Sequence, residues 1–359
     1  MRMRVLGIET SADDTGIALI EAEGKFGPDF KFKILANGVS SQKIHAEYGG
    51  IYPNLAKREH GRNLPLVLEK VLKESSGTTK DMPPADVIAV TYGPGLEPCL
   101  WTGITFAQEL SKKWNVPIVP VNHMEGHILI SMMENGRIAD FEFPAIALLI
   151  SGGHTELIHM KEFGTYKYIG RTRDDAVGEA FDKVARLLGF PYPGGPYISQ
   201  LANDTQQCDE ATPHRIHLPR PMIHENNFDF SFAGLKTAVL RLVEKHQPLS
   251  EEMKKTIARE FEDAVTDVLV YKTLRAVEEC GASTVIMGGG VSANKHIRNE
   301  LNQKLRAVGC QLLVCPPELS TDNGLMIALA GYFHALKKEF TDLASLKADG
   351  NLSLASLSK

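Results

Sequence analysis

The feature that most constrains the fold of this chain is a pattern that occurs twice. Apolar Val5–Ile8 are followed by a polar turn and then by apolar Ile17–Ile20. In the second half, apolar Ala147–Ile150, the polar turn Ser151–Thr155 and apolar Leu157–Ile158 come in the same order. A strand, a polar turn and a strand at the head of each half predict a duplicated α/β fold whose two turns face each other across a cleft. Two unrelated hairpins are the alternative.

Helical and strand patterns alternate along the rest of the chain. Apolar residues recur at helical spacing over Leu64–Leu72 and Ser250–Cys280, and short apolar strands such as Val87–Thr91 lie between helices. This alternation indicates a mostly parallel sheet covered by helices. At 359 residues the chain suits two domains, because single cores stop growing near ~250 to 300 residues. We expect an N-terminal lobe at 1–122, a C-terminal lobe at 123–340 with helical and loop insertions at about 178–250, and a loosely held tail at 341–359.

Composition and charge exclude several classes of protein. A hydrophobic content of 43% and a charged content of 23% are ordinary globular values, and no apolar run approaches the roughly 18 residues of a membrane span. The cysteines are odd in number and lack CxxC spacing, which favours reduced thiols and a cytoplasmic location. A net charge of −5 argues against binding nucleic acid by bulk attraction. The basic segment Thr212–His224 is a candidate for local RNA contact, or an ordinary proline-rich loop.

Two histidines have metal-ligand spacing. His123 and His127 are four residues apart at a predicted helix start, so both imidazoles lie on one face. Imidazole ligands favour a transition metal, although an exposed histidine pair is the alternative. Glu125 lies between them and is rotated away from that face, which removes the general base of an HExxH protease. Asp322, before the last predicted helix, is the best remote third ligand, and an N-cap role is its alternative.

Two glycine turns are candidates for binding an anion. Gly288, Gly289 and Gly290 lie between a strand and a helix, where backbone amides approach a phosphate, and an empty tight turn is the alternative. Ser151–Gly153 offers a similar approach in the second hairpin. Glu179 and Asp182 lie three apart on a helical turn, within reach of ligand hydroxyls or simply at a solvated helix start.

Eight ordered segments together resemble the bacterial TsaD family. They are GIETSADDTG (Gly7–Gly16), NHMEGH (Asn122–His127), LISGGHTEL (Leu149–Leu157), GEAFDKVARLLG (Gly178–Gly189), YPGGP (Tyr192–Pro196), FDFSFAGLKTA (Phe228–Ala238), GGGVSAN (Gly288–Asn294) and STDNG (Ser320–Gly324). The resemblance implies a duplicated actin/Hsp70-like (ASKHA) fold. It also implies the last step of N6-threonylcarbamoyladenosine synthesis at position 37 of tRNAs that read codons beginning with A.

The resemblance also implies roles for individual residues. Two histidines and an aspartate hold iron in the family, with zinc sometimes considered, and these match His123, His127 and Asp322. The implied substrate positions are Leu149, Ile150, Ser151, Gly152, Gly153, Asp182, Gly195, Ser199 and Asn294. No residue is assigned as a general base, for which Asp13 and Glu179 are candidates. Ala12 departs from the family pattern, which usually has cysteine there, and the EPCLW segment Glu97–Trp101 is a second departure.

The implied reaction sets the expected ligands and partners. The donor is threonylcarbamoyl-AMP, with ATP or AMP as further ligands of the cleft, and the acceptor is the anticodon loop of tRNA, whose bases can be splayed out. Weak overall basicity predicts that the chain needs help with tRNA, and the resemblance implies TsaB-like and TsaE-like proteins as its partners. The alternative function is that of a small-molecule kinase of the same fold, using ATP and Mg²⁺, which leaves His123 and His127 unexplained.

Overall fold

Each predicted hairpin begins a β-sheet in the computed structural model, which describes residues 2–75, 83–204 and 216–357. The contacts divide the chain into two units: unit 1 is Met1–Asp140 with Cys315–Lys359, and unit 2 is Phe141–Val314. The strands are β1 (Met3–Glu9), β2 (Asp14–Glu23), β3 (Lys31–Ser41), β4 (Val87–Gly93), β5 (Ile118–Asn122), β6 (Met133–Glu134), β7 (Arg137–Ile138), β8 (Ala145–Ile150), β9 (Thr155–Met160), β10 (Lys167–Arg171), β11 (Thr284–Gly288) and β12 (Gln311–Val314).

Helices follow the strands in the alternation that the sequence predicts. They are α1 (Pro53–Glu74), α2 (Glu97–Trp114), α3 (His123–Ser131), α4 (Val177–Leu187), α5 (Gly195–Asp204), α6 (Ala233–Lys245), α7 (Glu251–Cys280), α8 (Lys295–Ala307) and α9 (Gly324–Leu336). In α1 the predicted stripe is buried at Leu64, Val67 and Val71, whereas its predicted stop, Gly77, lies outside the described residues. Within residues 2–75, 83–204 and 216–357, no helix is both long and apolar enough to cross a membrane.

The first five strands of unit 1 and the five strands of unit 2 have the same topology. Unit 1 has the order β5-β4-β1-β2-β3-β7-β6 and unit 2 the order β10-β9-β8-β11-β12. In both, the first strand pairs antiparallel with the second and parallel with the fourth. The second strand pairs antiparallel with the third, and the fourth pairs parallel with the fifth. The expectation of a duplicated actin-like α/β fold is therefore confirmed.

Helix α9 belongs to the first sheet although it lies near the end of the chain. It is buried along almost its whole length and packs on β1, β2, β4 and β5. Glycines permit this approach: a Cβ on Gly7 of β1 would lie 2.2 Å from the carbonyl oxygen of Gly324, and one on Gly331 would lie 2.2 Å from Ala89 Cβ. Long-range packing thus places α9, and Asp322 before it, in unit 1.

The units differ from the predicted lobes at both boundaries. The first segment of unit 1 continues to Asp140 rather than ending at residue 122, because α3 packs against α9. The C-terminal tail is not loosely held in the described part. The amide of Thr341 donates to the carbonyl of Ile118, and Leu346 is buried in the core of unit 1. The tail and residues 315–340 are therefore part of unit 1.

Candidate functional site

The two histidines of the HxxxH pattern lie at the start of α3. His123 is its first residue, and His127 lies one turn further along. This helix follows β5 directly, and the side chain of Asn122 caps it by accepting from the amides of Met124 and Glu125. The His123 and His127 rings are nearly perpendicular, with centroids 4.7 Å apart, and both side chains are buried. The cap thus fixes the start of the helix and with it both imidazoles.

Asp322 meets this pair within unit 1. Its Oδ1 lies 3.1 Å from His127 Nε2 and 3.4 Å from His123 Nε2. The alternative role of Asp322 as helix cap does not hold, since Asn323 caps α9 by accepting from the amide of Met326. One ligand atom from each of the three residues lies within 4.8 Å of the others. Two imidazoles and one carboxylate in this arrangement suit a divalent transition metal.

Glu9, at the carboxyl end of β1, was not identified from the sequence. It is fully buried, and its Oε2 lies 3.0 Å from His123 Nδ1 and accepts from the Thr91 hydroxyl at 2.6 Å. A carboxylate on the far nitrogen of a histidine orients the ring and makes its other nitrogen a better metal ligand. The available signal was an acid at the end of an otherwise apolar strand.

The charges in this cluster explain the protonation of its histidine. Burial opposes the imidazolium form, but the negative charges of Glu9 and Asp322 together raise the pKa of His123 to about 9. Conversely, burial acts to raise the pKa of Glu9, but the adjacent His123 cation lowers it below its ordinary value. A cation thus stabilises this acidic pocket, and a metal ion would take the place of the proton on His123.

His127 completes the test of fit to a metal. Its Nδ1 is buried, and among the described residues no group hydrogen-bonds it, whereas its Nε2 points to Asp322. The donor set therefore fits a metal through two Nε2 atoms and a carboxylate oxygen. Of the two histidines, His123 has a carboxylate, that of Glu9, on its other ring nitrogen.

A second arrangement forms in unit 2, where the two glycine turns follow neighbouring parallel strands. Gly288 of β11 pairs with Leu149 of β8, so the turns that follow both strands lie at the same edge of the sheet. In open α/β sheets, ligands bind at the carboxyl ends of parallel strands. The predicted residues Leu149–Gly153 and Gly288–Gly290 are thus brought together within one unit.

The glycines of these turns are of two kinds. Gly289 has φ +89°, and a Cβ there would lie 2.5 Å from the carbonyl oxygen of Ile150, so its lack of a side chain lets the two turns pack. Gly152, Gly153 and Gly290 have no atom within 4 Å of an added Cβ among the described residues. The first kind is needed by the fold, and the second leaves open backbone that a ligand can approach.

Asp182 and Glu179 have different environments. Asp182 Oδ1 accepts from the amide of Gly194 at 2.6 Å, at the start of α5. Burial raises the pKa of Asp182, although hydrogen bonds from the amides of Gly194 and Gly195 act against that shift. Glu179 is about half exposed and lies 3.0 Å from Lys183 Nζ. Asp182 therefore holds the first turn of α5, which begins at the predicted substrate residue Gly195.

Ser199 and Asn294, from α5 and the residue before α8, meet through hydrogen bonds. Asn294 Nδ2 donates to Ser199 Oγ at 3.0 Å, and both side chains bond to Glu262 of α7. Glu262 was not identified from the sequence either. Every implied substrate position of unit 2 thus lies on β8, on the turn after it, on α4 or α5, or at the residue before α8.

Comparison with known proteins decides the family. The family model for TsaD, tRNA N6-adenosine threonylcarbamoyltransferase, matches residues 33–329. The chain belongs to the TsaD family. The family is metal-dependent, and its activity is that of an acyltransferase acting on tRNA. Membership does not favour the kinase alternative.

Solved structures with the same fold have low sequence identity to this TsaD chain. HypF from T. kodakarensis is 14% identical with a TM-score of 0.53, over 94% of this chain and 48% of that one. Full-length HypF in a phosphate- and nucleotide-bound form is 12% identical with a TM-score of 0.55, over 93% and 46%. The chain spans about half the length of these proteins. At this identity the likeness concerns the fold alone.

Two remaining predictions concern Glu125 and the basic segment. Glu125 is buried in this TsaD chain, and its Oε2 lies 2.6 Å from His334 Nε2. In the described part of the basic segment, Arg220 pairs with Glu260 and with Asp267 at 2.9 Å. Thr212–Arg215 lie outside the described residues. The charge of Arg220 is thus neutralised within unit 2.

Asp13 and Ala12 lie in the turn between β1 and β2. The carbonyl of Ala12 lies 2.9 Å from His60 Nε2, so the position where the family usually has cysteine contributes a backbone contact here. The half-buried Asp13 precedes Asp14, and burial together with the charge of Asp322 raises the pKa of Asp14 to about 7. The carboxyl group of Asp14, at the start of β2, therefore lies close enough to the histidine cluster of unit 1 to feel the charge of Asp322.

Proposed function

We propose that this chain transfers the threonylcarbamoyl group from threonylcarbamoyl-AMP to N6 of adenosine 37 in tRNAs that read codons beginning with A. The observation that carries the proposal is the meeting of His123, His127 and Asp322 in a chain that the TsaD family model matches over residues 33–329. A kinase of the same fold needs no such ligand set.

The proposed reaction is an acyl transfer with a good leaving group. A bond forms between the adenine N6 and the carbamoyl carbon, and the bond from that carbon to the phosphate oxygen breaks. AMP leaves with the electron pair, and N6 loses a proton. Because the exocyclic amine is a poor nucleophile, the protein contributes chiefly by aligning the two reactants and stabilising the departing phosphate.

We propose that His123, His127 and Asp322 hold one divalent transition metal, Fe²⁺ first and Zn²⁺ as the other candidate. Such an ion supplies positive charge that stabilises an anionic oxygen. Glu9 keeps the His123 ring oriented for this role. The glycine-turn edge of unit 2 is proposed to bind the adenylate, through Leu149–Gly153 and Gly288–Gly290, and the same edge would accept ATP or AMP.

The proton acceptor can be weak, because the N6 proton becomes acidic as the attack proceeds. Of the two candidates we propose Asp13, since it lies in the turn that follows β1, the strand whose last residue, Glu9, contacts His123. Asp13→Asn should lower kcat, and Glu179→Gln should leave it within about threefold of wild type. Equal losses in the two variants would count against this assignment.

The proposed partners rest on family membership and on the charge of the chain. A net charge of −5 opposes binding of RNA by bulk attraction, and Arg220 of the basic segment is paired with Asp267. We propose that TsaB-like and TsaE-like proteins assist it with the tRNA anticodon loop, in the cytoplasm.

The test is reconstitution with these partners, a source of threonylcarbamoyl-AMP and a tRNA that reads a codon beginning with A. Mass spectrometry of the digested tRNA should show threonylcarbamoyladenosine. The matched control is the same tRNA with guanosine at position 37, which should stay unmodified. If no modified nucleoside forms under conditions in which another TsaD protein succeeds, the proposed function is wrong.

A further inference from the structure

A buried carboxylate joins three helices of unit 2. Glu262 is fully buried in α7, and its Oε1 accepts from Ser199 Oγ at 2.8 Å and from Asn294 Nδ2 at 2.7 Å. Ser199 lies on α5, and Asn294 immediately precedes α8. One oxygen atom therefore fixes the distance between the second turn of α5 and the start of α8.

The hydrogen-bonding capacity of Asn294 is used within the protein. Its Nδ2 donates to both Glu262 and Ser199, and its Oδ1 accepts from the amide of Ile297 as the cap of α8. An asparagine side chain has two N–H donors and one carbonyl oxygen. Ser199 in turn donates its single proton to Glu262. These side chains have no donor left for a ligand in this arrangement, and they act by holding backbone in place.

The backbone that they hold belongs to the proposed adenylate site. Ser199 is one turn along α5 from Gly195. A Cβ added to Gly195 would lie 4.0 Å from its nearest neighbour, Phe181 Cβ. Asn294 ends the short 3-10 helix that begins at Gly290. The spacing of α5 and α8 therefore sets the spacing between two partly exposed glycines, Gly195 and Gly290.

Glu262 places a carboxyl group in the interior of unit 2, which is unfavourable for the stability of the core. Its Oε2 is buried, and no group among the described residues donates to it. A buried carboxylate with unmet hydrogen-bonding capacity destabilises a protein compared with a well-packed neutral residue. Its neighbours on the same face, Ala258 and Val265, are buried apolar residues. Packing alone gives no reason for an acid at this position.

We propose that Glu262 is a positioning residue of the adenylate site, holding Ser199 and Asn294 so that the Gly195 turn and the Gly288–Gly290 turn keep the spacing that fits the adenylate. This inference rests on the proposed function, because it takes unit 2 to be the adenylate site. Glu262 acts through other residues and is assigned no contact with the reacting atoms.

The experiment compares Glu262→Leu and Glu262→Gln in the full chain with its partners. Calorimetric titration with AMP should show binding about tenfold weaker for Glu262→Leu, because both donors lose their charged acceptor. KM for threonylcarbamoyl-AMP should rise in parallel, with kcat within about threefold and metal content unchanged. Glu262→Gln keeps an oxygen that accepts both bonds, so its effect should be the smaller. Glu279→Gln, on the same helix with an exposed side chain, is the matched control.

A double-mutant cycle separates positioning from general damage. If Glu262 acts through Ser199, Ser199→Ala should weaken AMP binding in the wild-type background and add little in the Glu262→Leu background. Unchanged AMP affinity and KM in Glu262→Leu, or full additivity in the cycle, would overturn the inference while leaving the proposed function intact. A wild-type protein that binds neither AMP nor the donor would overturn both. Should Glu262→Leu not fold, unchanged AMP binding in both Ser199→Ala and Glu262→Gln overturns the inference.

Discussion

Units 1 and 2 build different sites on the same strand framework. In unit 1 the carboxyl ends of β1 and β5 carry Glu9 and the start of the histidine helix, and side chains converge on one point. In unit 2 the ends of β8 and β11 carry glycine turns, and open backbone takes the place of side chains. The shared topology thus fixes where a site forms, and the turn residues determine whether it suits a cation or an anion.

The largest expected effect is on the cation site. Asp322→Asn keeps the size of the side chain but removes its charge, and Asn323 still caps α9. We expect transfer activity to fall at least about a hundredfold, because a metal ligand is lost. The rate of threonylcarbamoyladenosine formation measures this, with the exposed Glu318→Gln as control. Wild-type activity in Asp322→Asn would contradict the role of Asp322 as a ligand of a metal that the reaction needs.

Gly289 and Gly290 should differ in their effects on stability and on AMP binding. Gly289→Ala should lower the free energy of unfolding by about 2 kcal/mol or more, because of its positive φ and the clash with Ile150. Gly290→Ala meets open space, so stability should change by less than about 0.5 kcal/mol while AMP binds about fivefold more weakly. Urea unfolding and AMP titration of both variants measure these effects. Equal stability losses, or unimpaired AMP binding by Gly290→Ala, would contradict the distinction.

The units also share a partly buried acid near the start of the second strand, Asp14 in β2 and Glu156 in β9. Burial raises the pKa of Glu156 to about 7, although Tyr168 and Arg171 act against the shift. The folded state therefore binds a proton that the unfolded state has already lost between pH 4.5 and about 7. The free energy of unfolding should decrease as pH rises through this window, with the contribution of Glu156 on the order of 3 kcal/mol at most.

Glu156→Gln tests that contribution directly. Urea unfolding at several pH values should show a shallower decline across the window in Glu156→Gln than in wild type. The exposed Glu162→Gln should retain the wild-type slope. Identical slopes in Glu156→Gln and wild type would show that Glu156 is ionised in the folded protein throughout.

The smallest expected effect separates Asp182 from Glu179. Asp182→Ala removes the acceptor for the Gly194 amide and should cost about 1 kcal/mol, as loss of a helix cap does. Glu179→Ala breaks only a partly exposed ion pair and should cost less than about 0.5 kcal/mol. Thermal unfolding at one pH compares them. A larger loss in Glu179→Ala would mean that Asp182 does not anchor α5.

The sequence was informative where the chemistry is local. The repeated hairpin, the histidine spacing and the glycine turns are short-range patterns, and the structure has each of them. The pairing of Asp322 with unit 1 depends on α9 packing across β1 and β2 through Gly7 and Gly324, which no local pattern shows.

Two missed acids follow a common rule. Glu9 ends an apolar strand, and Glu262 lies on the buried face of α7. Each interrupts an apolar pattern at a position that should be buried, and each proved to hold other candidate residues in place. Helix α5 lies within the predicted insertions at about 178–250 but was not predicted individually, because its glycine- and proline-rich start is typical of a loop.

The central claim is that the cation site belongs to the side chains of unit 1 and is independent of the glycine turns of unit 2. Metal analysis of wild type, His127→Ala and Gly290→Ala, purified in parallel and normalised to protein, tests it most directly. We expect about one metal per chain in wild type and Gly290→Ala and almost none in His127→Ala. Full metal content in His127→Ala, or its loss in Gly290→Ala, would contradict the division between the two units.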